Sequence, residues 1–595
     1  MDYLHQHPVK LDTMEGMLSQ IQDGDTVAIG GFWFVRIPVA LVDGLVKKGV
    51  KNLTVLTHCS GLALDQLIAA KLVKKVIFSF ASMDLFGLSP FFRKAIENGE
   101  IEWEEWTALQ MTQALEAGRQ NVPYLPLKPP VGSGFHEETD YYKVMECPFT
   151  GETLGLMRGF QPDVALIHAQ KADEKGNIQI LGSQGMDRLL IGASKQTFVS
   201  VEEIVPEGKL DADPRGVIIP HFLINRICQV SGGAYPSSCL PYYIADYWQL
   251  QHAMQTAKMD QNYHQIQQPD GEVLGDRLGK LKRFTKIEIK QFESQLRQSA
   301  SDSADEEEPF HMDELMACLL AKEVKDGVVS TVGSNTPLSM VAYLLAKKTH
   351  VPNVVLIPFT GLNDIPAYPI TLSLAEVFAY QSSSSHWAIE DLWQWLYQKS
   401  LVSVEFGSTA QMDQHGRINN SLIRKAERIK VRLPGQAGLA DVINFHHNSL
   451  FYITRQDQKR MVDVVDFVSG NRHFVTKDER ESVHLADGVL KTVTNYGVFE
   501  LDRTSRQLVL THIHPGIDLE DVQANTGFAL QVSPDLQETT PPSKEQLRLI
   551  RKEIDPFGFR KLEFMAGQER LEWIEQILQK EQKLLFGKTL FSLSI

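Results

Sequence analysis

The chain has 595 residues, which at roughly 100–200 residues per domain predicts three or four domains. Hydrophobic residues make up 43 %, aromatics 9 % and charged residues 22 %, an ordinary globular composition with ample apolar material for large cores. The formal net charge of −15 argues against a nucleic acid or an anionic membrane as partner, because phosphate binding needs basic surface; a local basic pocket for a phosphorylated cofactor stays compatible with it.

The five cysteines, Cys59, Cys147, Cys228, Cys239 and Cys318, are odd in number and widely spaced, with no CxxC. That pattern speaks against a disulfide framework or a zinc site and fits a reducing compartment. The stretch MDYLHQHPVKLDTMEG has no apolar core of signal-peptide length. No run of about 18 apolar residues occurs anywhere, so no membrane-spanning segment is expected. A cytoplasmic protein without a metal site is the expectation.

In chain order, DTVAIGGF (25–32) reads as a strand running into a glycine turn, and PVALVDGLVKKG (38–49) has apolar residues at helical spacing. NLTVLTHCSG (52–61) is a strand ending in a polar loop. KKVIFSF (74–80), PDVALIHAQ (162–170) and QTFVSVEEIV (196–205) are further buried strands. Strands alternating with helices imply a mostly parallel sheet covered on both faces, with ligand sites at the carboxyl ends of strands. Gly30–Gly31 and His58–Gly61 are then site-lining loops. Residues 256–310 turn rich in Gln, Asp, Glu, Lys and Ser, and SASDSADEEEP (299–309) lacks packing residues. This reads as an acidic, partly disordered linker between domains 1–255 and 311–595.

After that linker the pattern begins again. DGDTVAIGGFWFVRIPVALVDGLVKKGVKNLTVLTHCSG (23–61) lies over DGVVSTVGSNTPLSMVAYLLAKKTHVPNVVLIPFTG (326–361). Small gaps bring Gly30 beside Gly333, Pro38 beside Pro337, Asn52 beside Asn353 and Gly61 beside Gly361. ADEKGNIQILG (172–182) matches MDQHGRINNSL (412–422) in the same order. Two pseudo-repeated α/β domains follow, and their interface is a favoured place for a ligand.

GDTVAIGGF…RIPVALV, LDQLIAAKLVKKVIFSF, GLSPFFRKAIENGEIEWEEWT, VPYLPLKPPVGSGF and GGAYPSSC in the first half resemble the α subunit of glutaconate-type class I CoA transferases. KDGVVSTVGSNTPLSMVAYLLAKKTHVPN, VRLPGQAG, NYGVFELD, HPGIDLEDVQANTGFAL and LIRKEIDPFG resemble the β subunit. The resemblance implies both halves fused on one chain, an active site between them, an acyl-CoA substrate that brings the only coenzyme A, no permanently bound cofactor, and a homodimer. It also implies a β-half glutamate that attacks the thioester, in a Glu-x-Gly run followed by a Pro-Tyr-Pro turn. Here that run is Phe359-Thr360-Gly361, followed by Ala367-Tyr368-Pro369, and from Val351 to Leu374 the sole carboxylate is Asp364. Phe359 cannot attack a thioester.

The same resemblance makes Gly333, Ser334 and Asn335 a CoA-binding loop. It makes Gly435, Gln436, Ala437 and Gly438 a loop whose amides stabilise an oxyanion, provided that Ala437 needs no positive φ. His58, Cys59 and Ser60 stand at the repeat-equivalent place to Phe359. Neighbours in a strand point to opposite faces, so a buried structural pair competes there with an activated thiol. Glu105, in Glu104-Glu105-Trp106, lies near where some relatives keep an acid for carbon–carbon cleavage, against the alternative of a solvated acidic face. Lys128 is placed to pair with a substrate carboxylate, or is an exposed lysine. Glu202-Glu203 reads as a structural strand end, His446-His447 is too little for a metal, and Trp387, Trp393 and Trp395 read as core. Three functions remain open: decarboxylation or hydrolytic carbon–carbon cleavage through a thioester enolate, CoA transfer, and CoA-ester binding without catalysis.

Overall fold

Val- and Ile-rich runs such as TVAI and LTVLTHC suit a buried pleated surface, and in the computed structural model they pair side by side. The structure describes residues 10–128, 133–134, 139–211, 213–260, 266, 272–299, 308–333, 336–358, 360–470, 476–481, 484–486 and 488–591. The first half runs β1 (Thr26–Ile29), α1 (Val39–Lys48), β2 (Leu53–Cys59), α2 (Leu62–Ala69), β3 (Val73–Phe80), β4 (Glu102–Glu105), α3 (Ala108–Gln120), β5 (Val164–Asp173), β6 (Gln196–Val205) and β7 (Arg226–Gln229). Their order across the sheet is β7-β6-β5-β1-β2-β3-β4, with every neighbouring pair parallel.

Two helices follow where sequence composition predicts a linker: α4 (Leu274–Phe284) and α5 (Ile289–Ser299). The polar composition hides an amphipathic spacing. Leu281, Phe284, Phe292 and Leu296 are buried in the main core while the charged residues face outward. Residues 300–307, the acidic part of that stretch, lie outside the described residues.

The second half runs β8 (Val329–Val332), α6 (Pro337–Thr349), β9 (Val355–Pro358), β10 (Val402–Ser408), α7 (Leu439–Phe445), β11 (Asn448–Ile453), β12 (Val489–Thr494), β13 (Gly497–Asp502), β14 (Gln507–Ile513) and β15 (Gln531–Glu538), and ends on the long helix α8 (Gly567–Phe586). The order is β9-β8-β10-β11-β12-β13-β14-β15. It is parallel as far as β12 and turns antiparallel at β13 and β14.

The two sheets share a plan. In each, the first strand lies between the strand reached through the following helix (β2 or β9) and a later, long strand (β5 or β10). Past β5, Asp173 accepts the amides of Gly176 and Asn177; past β10, Asp413 accepts those of His415 and Arg417. The expected duplication is therefore one of fold. One buried apolar cluster runs from Phe34 and Phe78 through Leu338 and Tyr343 to Ile574, so the halves are packed on a common core. Among the described residues no helix is long and apolar enough to cross a membrane.

Candidate active site

A cleft of about 690 Å³ opens between the halves at the carboxyl ends of their strands. Trp33 and Phe80 line it from the first half, and Gly333, Glu405 and the 435–438 loop from the second. Lys459, Arg460 and Arg570 also lie on its wall. A second cavity of about 250 Å³ shares Trp33, Gly333 and Thr336 with the cleft and is walled mainly by apolar side chains, among them Phe34, Val332 and Tyr368.

The expected glycine loops divide by what their amides do. Gly30 N–H donates to Leu166 O at 2.9 Å and Gly31 N–H to Asp187 Oδ1 at 2.8 Å. Gly31 has φ 79°, and a β-carbon there would stand 2.7 Å from Arg36 O. Arg36 is buried, ion-paired with Asp187 at 2.7 Å and bonded to the carbonyls of His168 and Ser183. These two glycines thus make a tight turn that aims Trp33 at the cleft. Gly333 lines both cavities. Ser334 and Asn335 lie outside the described residues, and so does Phe359. Beside Phe359, Pro358 and Thr360 line the apolar cavity. Gly361, at φ 78°, packs its Cα against Trp387 O, where a β-carbon would stand at 2.3 Å.

In the 435–438 loop, Ala437 takes φ 53°, a left-handed conformation that costs a non-glycine residue about 1 kcal/mol. Its N–H donates to Ser79 O at 3.1 Å and its carbonyl accepts from Ala108 N at 2.9 Å, tying the loop to β3 and α3. Gly435 N–H donates to Asn420 O and Gln436 N–H to Glu105 Oε1, at 3.2 and 3.1 Å. Three of the loop's four amides are therefore committed within the protein. Gly438, which starts α7, packs under Trp393, whose ring would lie 2.1 Å from a β-carbon there.

Glu105, at the end of β4, is buried and sits behind that loop rather than on the cleft wall. It is ion-paired with the buried Arg432, accepts Ser421 Oγ at 2.9 Å and holds Gln436 N–H. Arg432 in turn lies over Phe78 and Trp103, 5.0 and 4.7 Å from the ring centres. Burial lifts the Glu105 carboxyl above its usual range, against the opposing pull of Arg432. This side chain bridges the two halves.

His58 and Cys59 end β2, buried with Ser60. Burial lowers His58 to about 3 and drives the Cys59 thiol well above its ordinary value, so neither is ionised near neutral pH. His58 is stacked on Phe32 at 5.8 Å. Lys128 lies away from the cleft, with Nζ donating to His484 O at 2.8 Å. Glu202 accepts from Gly232 N, Tyr243 OH and His168 Nε2 inside the first half. With Cys239 and His168 it forms a buried group of metal-ligand atom types, whose His and Glu members already bond one another.

Sequence reasoning missed Glu405. It stands in the middle of β10, is only 4 % exposed and still lines the cleft. Oε2 accepts the Thr331 hydroxyl and, at 2.7 Å, the Tyr397 hydroxyl; His446 Nε2 lies 3.3 Å away. Burial pushes this carboxyl up, but the His446 ring beside it, with the Thr331 and Tyr397 hydroxyls, outweighs that and holds the group below the usual range. The available signal was one acidic residue inside VSVEFGS, a run otherwise suited to a buried strand.

Against known proteins, the family described as coenzyme A transferase matches residues 11–229 and 314–525. The chain is similar to the two different polypeptides of a 3-oxoadipate CoA-transferase from Pseudomonas knackmussii. It is 34 % identical to one of them, in a match covering 38 % of this chain and 80 % of that polypeptide. A 28 % identical match to the other covers 41 % of this chain and 92 % of that polypeptide. It is 28 % identical to the cholesterol ring-cleaving hydrolase IpdA subunit of Mycobacterium tuberculosis, covering 44 % of this chain and 92 % of that protein. An acyl-CoA transferase from Escherichia coli O157:H7, solved as a thioester complex with CoA, has the same fold along 91 % of this chain and 96 % of its own, with a TM-score of 0.64 and 16 % identity.

Proposed function

The chain belongs to the coenzyme A transferase family and is an enzyme that processes acyl-CoA; from that premise we propose that it breaks a carbon–carbon bond in its acyl-CoA, by decarboxylation or hydrolysis through the thioester enolate, rather than transferring CoA. The observation that carries this reading is the apolar cavity that adjoins the cleft and is lined by the residues on either side of position 359. Pro358 and Thr360 line it, and the residue between them is Phe359. A thioester carbonyl near Gly333 would have an acyl group in the apolar chamber and the CoA moiety along the cleft. Lys459, Arg460 and Arg570 supply cationic partners for its phosphates.

An apolar chamber favours this chemistry. A carboxylate there loses hydration worth several kcal/mol, roughly, and regains it as neutral CO2 leaves. The thioester takes up the electron pair as an enolate, so no enzyme nucleophile is required. The mycobacterial relative, named a ring-cleaving hydrolase, supports the hydrolytic branch. One chain carries both halves, so no second polypeptide is needed to build the cleft, and a homodimer is the assembly proposed.

Incubation with a panel of 3-oxoacyl-CoA and carboxylated acyl-CoA esters tests the reading. Release of CO2 or of a shortened acid, without CoA transfer to acetate, is expected. Borohydride or hydroxylamine should trap no glutamyl adduct. CoA transfer with a trapped glutamate overturns the proposal. Phe359→Glu should introduce CoA transfer if position 359 is the nucleophile slot.

A further inference from the structure

Glu405 is a buried carboxylate that the fold does not need. Counting back eight residues from the matched aspartates Asp413 and Asp173 sets Glu405 of β10 against Ala165 of β5. Strand register gives the same match. The glycine alignment puts Ser330 of β8 with Val27 of β1; Ser330 pairs with Val404, and Val27 with Val164. The twin position is thus filled by a fully buried alanine, in a strand of the same place and direction. A carboxylate taken out of water costs several kcal/mol, roughly, and is kept ionised only by dedicated partners.

Those partners all serve one oxygen. Thr331, Tyr397 and His446 gather on Oε2. Oε1 turns towards Gly333, 3.7 Å from the place a β-carbon on that glycine would take, on the wall shared by the cleft and the apolar cavity. A carboxylate with one oxygen held and the other facing a cleft-lining glycine is placed to take a proton from a water in that cleft and to return it. The donors on Oε2 lower its basicity along with its nucleophilicity, so Oε1 takes a proton only as the water bonds to carbon.

We propose that Glu405 is the catalytic base of this chain, acting through Oε1 on a water that adds to the carbonyl β to the thioester. This rests on the carbon–carbon cleavage reading above and selects its hydrolytic branch. Oε1 takes one proton from water as the water oxygen bonds to the β carbonyl carbon. The bond from that carbon to the α carbon breaks, and its electron pair passes into the thioester as an enolate. The proton held on Glu405 then moves to the α carbon. Water's oxygen and second hydrogen leave in the carboxylic acid, the shortened acyl-CoA is released, and Glu405 is again a carboxylate.

The test uses the full chain with a 3-oxoacyl-CoA series in H2¹⁸O. Wild type should release an acid carrying one ¹⁸O. Glu405→Gln, nearly isosteric, should lose about 10²–10⁴-fold in kcat, while butyryl-CoA, which has no 3-oxo group, still raises the melting temperature as in wild type. If that variant does not fold, Glu405→Asp, which keeps the charge and shortens the reach, should fold and lose at least ~10-fold. Undiminished cleavage by Glu405→Gln overturns the base role alone and leaves the function standing. A hydroxylamine adduct on Glu405 shows a nucleophile and overturns it as well. Absence of any cleavage by wild type overturns the function and the base role together.

Discussion

Arg432 and Glu105 form a buried ion pair across the two halves, and the consequences of removing each partner differ with pH. Arg432→Met keeps an unbranched apolar stem against Phe78 and Trp103 but strips Glu105 of its counter-charge. Breaking one side of such a pair costs about 3–5 kcal/mol, on the order of 10 °C in melting temperature for a half of this size. Burial already lifts the Glu105 carboxyl above its usual range, and losing Arg432 raises it further. A carboxyl whose folded pKa exceeds its unfolded value keeps its stability below the unfolded value, about 4.3, and loses it as pH rises through the folded one. The Arg432→Met deficit should therefore be small at pH 5 and full at pH 8. Glu105→Gln leaves a guanidinium buried that stays charged throughout and removes the titrating carboxyl, so its deficit should shrink as pH rises and, of the two, wild type alone loses stability. Glu105→Gln/Arg432→Met should recover most of the loss. Scanning calorimetry of the four proteins at pH 5, 6.5 and 8 reads all three expectations. A deficit in Arg432→Met that is equal at pH 5 and pH 8, or a double variant no better than the worse single one, refutes the bridge.

Asp441, in the first turn of α7, is buried, and burial pushes its carboxyl up to about 7 although Leu109 N and Thr107 bond it. Its folded value lies above the unfolded one, so its stability is lost as pH rises through 7; Asp441→Asn should match wild type in melting temperature at pH 5 and exceed it at pH 8.5. Cys147 is half-exposed, and hydrogen bonds from Thr150 and Phe149 lower its thiol, whereas burial raises Cys59. Iodoacetamide at pH 8 should therefore label Cys147 first, and peptide mapping that finds Cys59 labelled earlier would contradict the buried placement. Gly438→Ala drives a methyl into the Trp393 ring at an unstrained φ of −113°. It should cost about 1–3 kcal/mol by overpacking and raise KM for acyl-CoA, whereas an unchanged melting temperature would show that Trp393 can yield.

The strands and the duplication were legible because period and repeat are local signals. QTFVSVEEIV predicts a strand over the residues that form one, and the glycine-loop alignment is mirrored by sheet order. The helices α4 and α5 were not legible within the polar stretch, because polar composition dominates a count while the buried face of α4 rests on few positions such as Leu281 and Phe284. The committed amides of Gln436 and Ala437 were not legible, since their acceptors Glu105 and Ser79 lie more than three hundred residues away. Glu405 and His446 escaped for the same reason: forty-one positions separate them, and only the packing of β10 beside α7 joins them.

The duplicated unit also shows how one loop became scaffold and its twin a site wall. A β-carbon on Gly30 would meet Ile167 at 2.5 Å and Asp187 at 2.6 Å, and the Gly30 and Gly31 amides are both spent inward. Among the described residues, a β-carbon on Gly333 would meet nothing nearer than Thr336 Oγ1 at 3.6 Å, and that glycine borders both cavities. The first copy fills its strand end with the Arg36–Asp187 pair and small Ala165; the second leaves space there and sets Glu405 against it. Packing density is what separates them, because a filled loop holds its amides in internal bonds and an open one can offer them to a ligand. The same contrast covers His58 and Cys59, which stand at the twin place to Phe359: both are buried, with His58 stacked on Phe32.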